Sequence, residues 1–415
     1  MLSTLRRAEY AELVLLFFIQ GAAMAMWFVP LSPVLDAHGL AGIKPLAFAT
    51  SAVAAFLSPL VFGAMADRQA SPVKVLRGLA VATAAAMALA SAAVQGRWGT
   101  GTVLILIQLH ALCSAPTWSI ASTIVFARLQ DARREFGPIR AMATLGWMGG
   151  CLLVSAVGAD RSTLSGFGGA VVWLVVAVFT FFLPRMDTPR AAEHLTWVQR
   201  FGLDALMLLR ERDHRVVFVT SALFMIPLAG FYPYAPPHLA SLGMDRTSAW
   251  MSLGQVTEIV AMFSLGYLLH RWRLKWIFTV GLVLGVVRFA VSAWDSRSGL
   301  LTGIVLHGAS FTLVFITAQI YIDQRIDPAW RARGQALMSL LNSGVGNLAG
   351  YLGTGAWFAA CSAGGTTRWS SFWSGLAVAV AGVLVFFLFS YRGRGTGLGP
   401  RVEETSAQRP ASEAD

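Results

Sequence analysis

The chain has 415 residues, 56% of them hydrophobic and only 13% charged, with a mean hydropathy of +0.62. A soluble domain carries about 25% charged residues, so this composition excludes an ordinary water-soluble protein and points to an all-α polytopic membrane protein. Three cysteines, all in apolar runs, exclude a disulfide framework and a Cys-based metal site, and the formal charge of +11 is dispersed between apolar runs rather than gathered on one face for nucleic acid.

A membrane-spanning helix needs about 20 mostly apolar residues. Twelve runs qualify, near 11–35, 45–66, 75–95, 101–127, 138–158, 166–184, 216–239, 247–269, 276–294, 299–322, 334–359 and 371–391. Their length and the lack of period-two alternation select helices over barrel strands. Of the Lys and Arg residues, 25 fall in the segments on the same side as the N-terminus and 6 on the other, with Arg288 alone inside a span. That bias predicts that both termini and the middle loop are cytoplasmic, in a bacterial-type inner (plasma) membrane. The basicity therefore reports topology and contact with lipid. The first run, behind Arg6 and Arg7, continues to Leu35, which is too long for a signal peptide; it reads as an uncleaved first helix.

In chain order, the first span carries Gln20, Met24 and Trp27 on one stripe. Such a stripe serves either helix packing or ligand contact. The second ends in Gly63-Ala-Met-Ala-Asp67-Arg68, and the same Gly-x-x-x-[Asp/His]-Arg spacing returns 203 residues later as Gly266-Tyr-Leu-Leu-His270-Arg271. That repeat suggests duplication into two six-helix halves, 1–184 and 216–391. Between them lies a cytoplasmic linker, 185–215, with an amphipathic stretch at Phe201, Leu203, Leu206 and Leu209; residues 392–415 read as a disordered tail. The Gly63–Arg68 segment resembles the loop signature of the major facilitator superfamily. Asp67 and Arg68 are then a candidate conformational latch, or else solvated loop charges.

The fourth span holds His110, Pro116 and Thr117. The fifth places Arg140, Thr144 and Trp147 at i, i+4 and i+7, although Arg140 follows Pro138 closely enough to sit at the interface. In the seventh, Pro227, Gly230, Pro233, Pro236 and Pro237 predict an unwound outer half, which the bilayer tolerates only beside protein or a water-filled cavity. Phe231, Tyr232 and Tyr234 decorate it, as a surface for a planar polar ligand or as part of an interfacial aromatic belt. Glu258 is the one acid stranded in mid-span, twelve residues or about 18 Å from either end of the eighth helix. A carboxyl there is either a proton carrier or a structural partner of an arginine. Gln255 shares its face. The tenth span adds His307, Thr312, Gln319, Tyr321 and Asp323. The eleventh adds Gln335, Asn342 and Asn347 among Gly344, Gly346, Gly350 and Gly353, small residues that permit close helix approach.

There is no Walker-type loop, nucleophile–base pair or His/Cys cluster. Neither an enzyme nor an ATP-driven pump is expected, and no cofactor or metal. An ion gradient remains as the energy source, and Glu258 makes the ion a proton.

Several stretches together resemble the nucleoside:proton symporters within the major facilitator superfamily. They are Phe136-Gly-Pro-Ile-Arg-Ala-Met-Ala-Thr-Leu-Gly-Trp147, Ser252-Leu-Gly-Gln-Val-Thr-Glu258, Val287-Arg-Phe-Ala290, the Pro116-Thr117 region and Asp327-Pro-Ala-Trp-Arg-Ala-Arg-Gly-Gln335. The resemblance implies twelve helices in two pseudo-repeats and proton-coupled uptake of a nucleoside by alternating access. It also implies a central site made by Arg140, Thr144, Trp147, Gln255 and Glu258, with Trp147 in the place of the family's base-stacking Phe. Gln20, Tyr232 and Thr312 complete the candidate substrate-binding set, Glu258 is the proton-coupling residue, and a monomer is expected. The chain departs from the pattern at Thr312, where the family has an acid, and at Ala229 and Tyr232, where it has an amide pair. A carrier for another small polar solute, such as a sugar, and a non-transporting membrane sensor are the alternatives.

Overall fold

The computed structural model describes residues 10–67, 71–130, 132–183, 196–363 and 365–393. Apart from one two-residue β-ladder, Ser362–Ala363 with Thr366–Thr367, the regular structure there is helical. Nine helices among the described residues are long and apolar enough to cross a membrane, and Ala41–Phe56 and Leu164–Phe179 are apolar but shorter. Helices are the economical answer to this composition, because each satisfies its backbone polar groups internally where lipid offers no partner.

The elements run α1 Ala11–Phe28, α2 Leu31–Ala37, α3 Lys44–Asp67, α4 Pro72–Gln95, α5 Thr100–Phe126, α6 Ala132–Ala156 and α7 Leu164–Phe179, then the short α8 Trp197–Arg200. They continue through α9 Arg212–Leu228, α10 Phe231–Ser241, α11 Thr247–Met251, α12 Leu253–Arg271, α13 Leu274–Ser292 and α14 Arg297–Phe311 to α15 Thr317–Arg325, α16 Pro328–Ser339, α17 Asn347–Cys361 and α18 Trp369–Ser390. Widened π-turns at Thr312–Ile316 and Leu340–Gly346 join α14 to α15 and α16 to α17. The chain packs as two apolar cores. One is built mainly from α1 to α7 around Phe17, Met87, Ile107 and Trp173; the other lies mainly in α9 to α18, around Phe224, Phe278, Phe289 and Trp373.

Close approach sets the positions that matter. On α6, Gly146 and Gly150 lie against the backbone of Phe18 and Ala22 on α1, and Gly21 lies against Ala143; a Cβ at any of them would run into a carbonyl oxygen. Small residues thus let α1 and α6 approach backbone to backbone. In the second half, Gly308 of α14 meets the backbone of Gly254 and Glu258 on α12 in the same way.

Two expectations need correction. The proline-rich segment is not unwound over its outer half: the chain turns only at Ala229 and Gly230, and α10 stays helical through Pro236 and Pro237. Pro233 falls in the first turn of α10, where an N–H has no helical acceptor in any case. The amphipathic linker stretch winds instead as a 3₁₀ helix, Leu203–Arg210, that buries Ala205 and Leu208 and exposes Leu206. Residues three apart share a face of a 3₁₀ helix, so Leu203 and Leu206 lie together on the exposed side while Ala205 and Leu208 form the buried one. Asp67 is the last residue of α3, but its side chain and Arg68 lie outside the described residues, as do most of the linker's first part (184–195) and residues 394–415 of the tail.

Candidate functional site

Five helices converge on a pocket of about 220 Å³ between the two halves. From α1 come Gly21 and Met24, from α5 Trp118, and from α6 Arg140, Ala143, Thr144 and Trp147. Tyr232 of α10 and Gln255 and Glu258 of α12 complete the wall from the other half. The fifth-span stripe therefore faces the eighth-span carboxyl. Arg140 lies eight residues past the start of α6, more than two turns in, and lines the pocket.

The contacts are specific. The Thr144 hydroxyl is 3.4 Å from Glu258 Oε1. The Arg140 guanidinium lies 4.1 Å over the Trp118 ring, a cation–π contact that holds its charge at the pocket wall. Glu258 and Arg140 face the same space without forming a direct ion pair, which leaves a ligand room between them. The Gln255 amide is satisfied when its nitrogen donates to the carbonyls of Ser252 and Met251 at 3.2 Å each. Its oxygen then faces the Tyr232 hydroxyl at 3.4 Å. Trp147 and Tyr232 meet edge to face at 6.1 Å, with Phe28 packed against both. A wall of this kind offers a carboxyl, a guanidinium, an amide, hydroxyls and aromatic faces to one small polar molecule.

Two candidates lie elsewhere. Gln20 is fully buried on α1 and donates to the Thr117 hydroxyl of α5 at 3.1 Å, and it is not among the pocket-lining residues. Thr312 is fully buried in its π-turn, its hydroxyl without a partner, and also lies outside the lining. Trp118 and Met24 join the lining through tertiary packing; only Met24 stood on a stripe in the sequence.

Sequence reasoning missed two further features. Asp160, in the loop after α6, accepts hydrogen bonds from the Ser155 hydroxyl at 2.9 Å, the Ser248 amide at 2.6 Å and the Thr247 hydroxyl at 3.5 Å. The Ser155 hydroxyl in turn accepts from the Ala249 amide at 2.9 Å. An acid from the first half thus caps the start of α11 in the second. At the same end, Lys44 pairs with Asp36 at 2.7 Å, and Ser32 donates to the Pro233 carbonyl. The other feature is the pairing of Arg288, which stood in the sequence as the lone basic residue inside a span: buried on α13, it is hydrogen-bonded to His307 Nδ1, with its guanidinium 4.5 Å over the Phe231 ring. Phe231 stacks on His307 at 4.0 Å, directly before the pocket residue Tyr232.

Apolar spans in two packed groups with a polar pocket at their junction define a membrane carrier, and the fold is that of the major facilitator superfamily. The crystal structure of the nucleoside transporter NupG superposes with a TM-score of 0.83 at 21% identity, over 93% of this chain and 99% of that one. In sequence, the chain is 34% identical over 408 residues to YegT of Escherichia coli (strain K12), covering 92% of this chain and 93% of that protein. It is 23% identical over 308 residues to the nucleoside permease NupG of the same organism, covering 70% and 73% respectively. The profile of the nucleoside H+ symporter family matches residues 8–395. The chain belongs to the nucleoside H+ symporter family.

Proposed function

We propose that this chain takes up nucleosides together with protons, with Glu258 as the group that carries the proton. The observation that supports this most directly is the position of Glu258. Its carboxyl shares a pocket with Arg140, Trp147, Tyr232 and Gln255, and it meets Thr144 across the junction of the halves. A carboxyl in mid-membrane is costly unless it is used, and one that contacts both halves can report its protonation to both. In this reading the sugar hydroxyls bond to Glu258, Gln255 and Thr144, the base stacks on Trp147, and Arg140 binds the substrate's acceptors.

The frame for this is twelve helices in two six-helix repeats, 1–184 and 216–391, rocking about the pocket. Both termini lie in the cytoplasm of an inner membrane, and the carrier acts as a monomer. Asp67 and Arg68 serve as a latch at the cytoplasmic end. The Asp160 cluster then holds the opposite, outer end shut in the conformation described.

Uptake of labelled uridine and adenosine into proteoliposomes, with and without an inward proton gradient, tests the proposal. Accumulation above the external concentration only with the gradient is expected. Failure of every nucleoside to accumulate under the gradient overturns it.

A further inference from the structure

Several basic residues at the linker end of the molecule have a partner in the protein. Arg128 pairs with Glu12 at 3.0 Å, Arg333 with Asp204 at 3.1 Å and Arg331 with Asp323 at 3.6 Å, and Arg212 donates to the Ser390 carbonyl at 3.0 Å. The corner between α12 and α13, at the same end, differs. It gathers His270, Arg271, Arg273 and Lys275 within six residues, and no acid occurs in the sequence between Glu258 and Asp295. None of the four has a carboxylate partner among the described residues. Arg271 lies over the Tyr267 ring at 5.2 Å and Lys275 donates to the Tyr391 carbonyl at 3.3 Å, while the His270 and Arg273 side chains make no hydrogen bond or ion pair among the described residues.

Around these charges the surface is first aromatic and then apolar. Trp272, Trp276 and Tyr267 are 47%, 53% and 61% exposed, as aromatic residues are where a membrane meets water. Val256, Val260, Phe263 and Tyr267 follow one another at helical spacing, all exposed, on a face of α12 that leads to Arg271. Of the nine long apolar helices among the described residues, the one that ends in Arg271 is the least buried, with 28% of its apolar stretch covered. α12 and α13 pack on α14 more than on each other, and the small cluster of Leu265, Ile277 and Leu313 joins them near the corner.

A phospholipid presents its parts in the same order: a phosphate in the headgroup, a glycerol at the interface and acyl chains in the hydrocarbon. Guanidinium groups hold phosphate through paired hydrogen bonds, and an ammonium adds a point charge. We propose that the α12–α13 corner binds one anionic phospholipid, with Arg271, Arg273 and Lys275 on its phosphate and an acyl chain along the exposed face of α12. The headgroup is specified as net negative, because a corner with three cations and no carboxylate repels the cation of a zwitterionic headgroup. α12 also carries Gln255 and Glu258, so the lipid lies on the outer face of a helix that builds the central pocket.

The test uses the full-length chain in a neutral detergent, titrated with phosphatidylglycerol or with phosphatidylcholine of the same acyl chains. Native mass spectrometry counts the lipid retained, and thermal unfolding reads its affinity, because a ligand of the folded state raises the midpoint. The wild type is expected to retain one phosphatidylglycerol and to bind phosphatidylcholine about tenfold more weakly. Replacing Arg271, Arg273 and Lys275 together by Gln should weaken phosphatidylglycerol binding about a hundredfold, and Arg273→Gln alone about fivefold, the strength of basic residues at an anionic surface. The Arg273 side chain has no hydrogen bond or ion pair to lose, so the single variant probes the site with the fold intact. Replacing Lys74, Arg210 and Arg215 by Gln removes the same charge from exposed positions at the same end, and should leave binding as in the wild type. The proposal is overturned if phosphatidylcholine is retained as well as phosphatidylglycerol, if the corner variants bind like the wild type, or if the control variant loses as much as the corner triple.

Discussion

The Thr144 hydroxyl of α6 stands 3.4 Å from Glu258 Oε1 of α12, between residues 114 apart in sequence and on opposite sides of the central pocket. A bond of this kind exists only while the two halves present these faces to one another, and it ends when the carboxyl turns to another partner. Two variants separate its components. Glu258→Gln keeps the shape and removes the exchangeable charge, so accumulation under a proton gradient is expected to vanish while exchange of nucleoside across the membrane persists. Thr144→Val removes one hydrogen bond and is expected to lower uptake about fivefold without uncoupling it from the proton. Gradient-driven uptake and counterflow in the same vesicles measure both.

Asp160 holds the other decisive contact between the halves, accepting from Ser155, Thr247 and Ser248. Hydrogen bonds to a charged acceptor contribute about 1.5–3 kcal/mol each. Asp160→Ala is therefore expected to shift the population by tenfold or more towards conformations in which this end is open, and Asp160→Asn by less, since an amide still accepts. Spin labels at positions 161 and 246, flanking the cluster, would read the shift as a longer distance population.

Arg288 and His307 form a buried polar pair on α13 and α14, and among the described residues Arg288 has no carboxylate ion-pair partner. The arginine keeps its charge in all ordinary conditions, so the imidazole must accept through Nδ1. Losing that acceptor leaves a buried guanidinium against the Phe231 and Phe289 rings, at 4.5 and 4.4 Å. His307→Leu is expected to destabilise the protein by about 3 kcal/mol, because breaking a buried polar pair costs more than replacing it. Adding Arg288→Met should restore part of that loss. Thermal unfolding of the two single variants and the double variant in detergent measures the cycle, and additive losses would contradict the pairing.

Gly308 is where α14 lies against the Gly254 and Glu258 backbone of α12. A methyl group there has no space, so Gly308→Ala is expected to push α12 outward and move the Glu258 carboxyl relative to Thr144. A loss of about 1–3 kcal/mol in stability is the usual cost of such overpacking. Uptake should fall further than at Gly353, where an added Cβ meets nothing. Parallel uptake assays on Gly308→Ala and Gly353→Ala make the comparison.

The apolar spans and the isolated Glu258 among them were legible in the sequence because each follows from one chain segment against one solvent. Lipid rejects charge and unpaired backbone wherever they occur, and that rule needs no knowledge of neighbours. The same holds for the Arg140, Thr144 and Trp147 stripe, which follows from helical period alone. Which polar residues meet was a different matter. Gln20 looked like a pocket residue but turns its amide nitrogen to Thr117, and Thr312 is buried inside its π-turn. Asp160 looked like a loop acid until α11 arrived beneath it. Trp118 entered the site through the crossing of α5 and α6, and the Arg288–His307 pair through the packing of α13 on α14. Those outcomes depend on backbone-to-backbone approach at a few glycines and on where each helix turns. Contacts between distant segments are set by packing in three dimensions, and local periodicity carries no record of them.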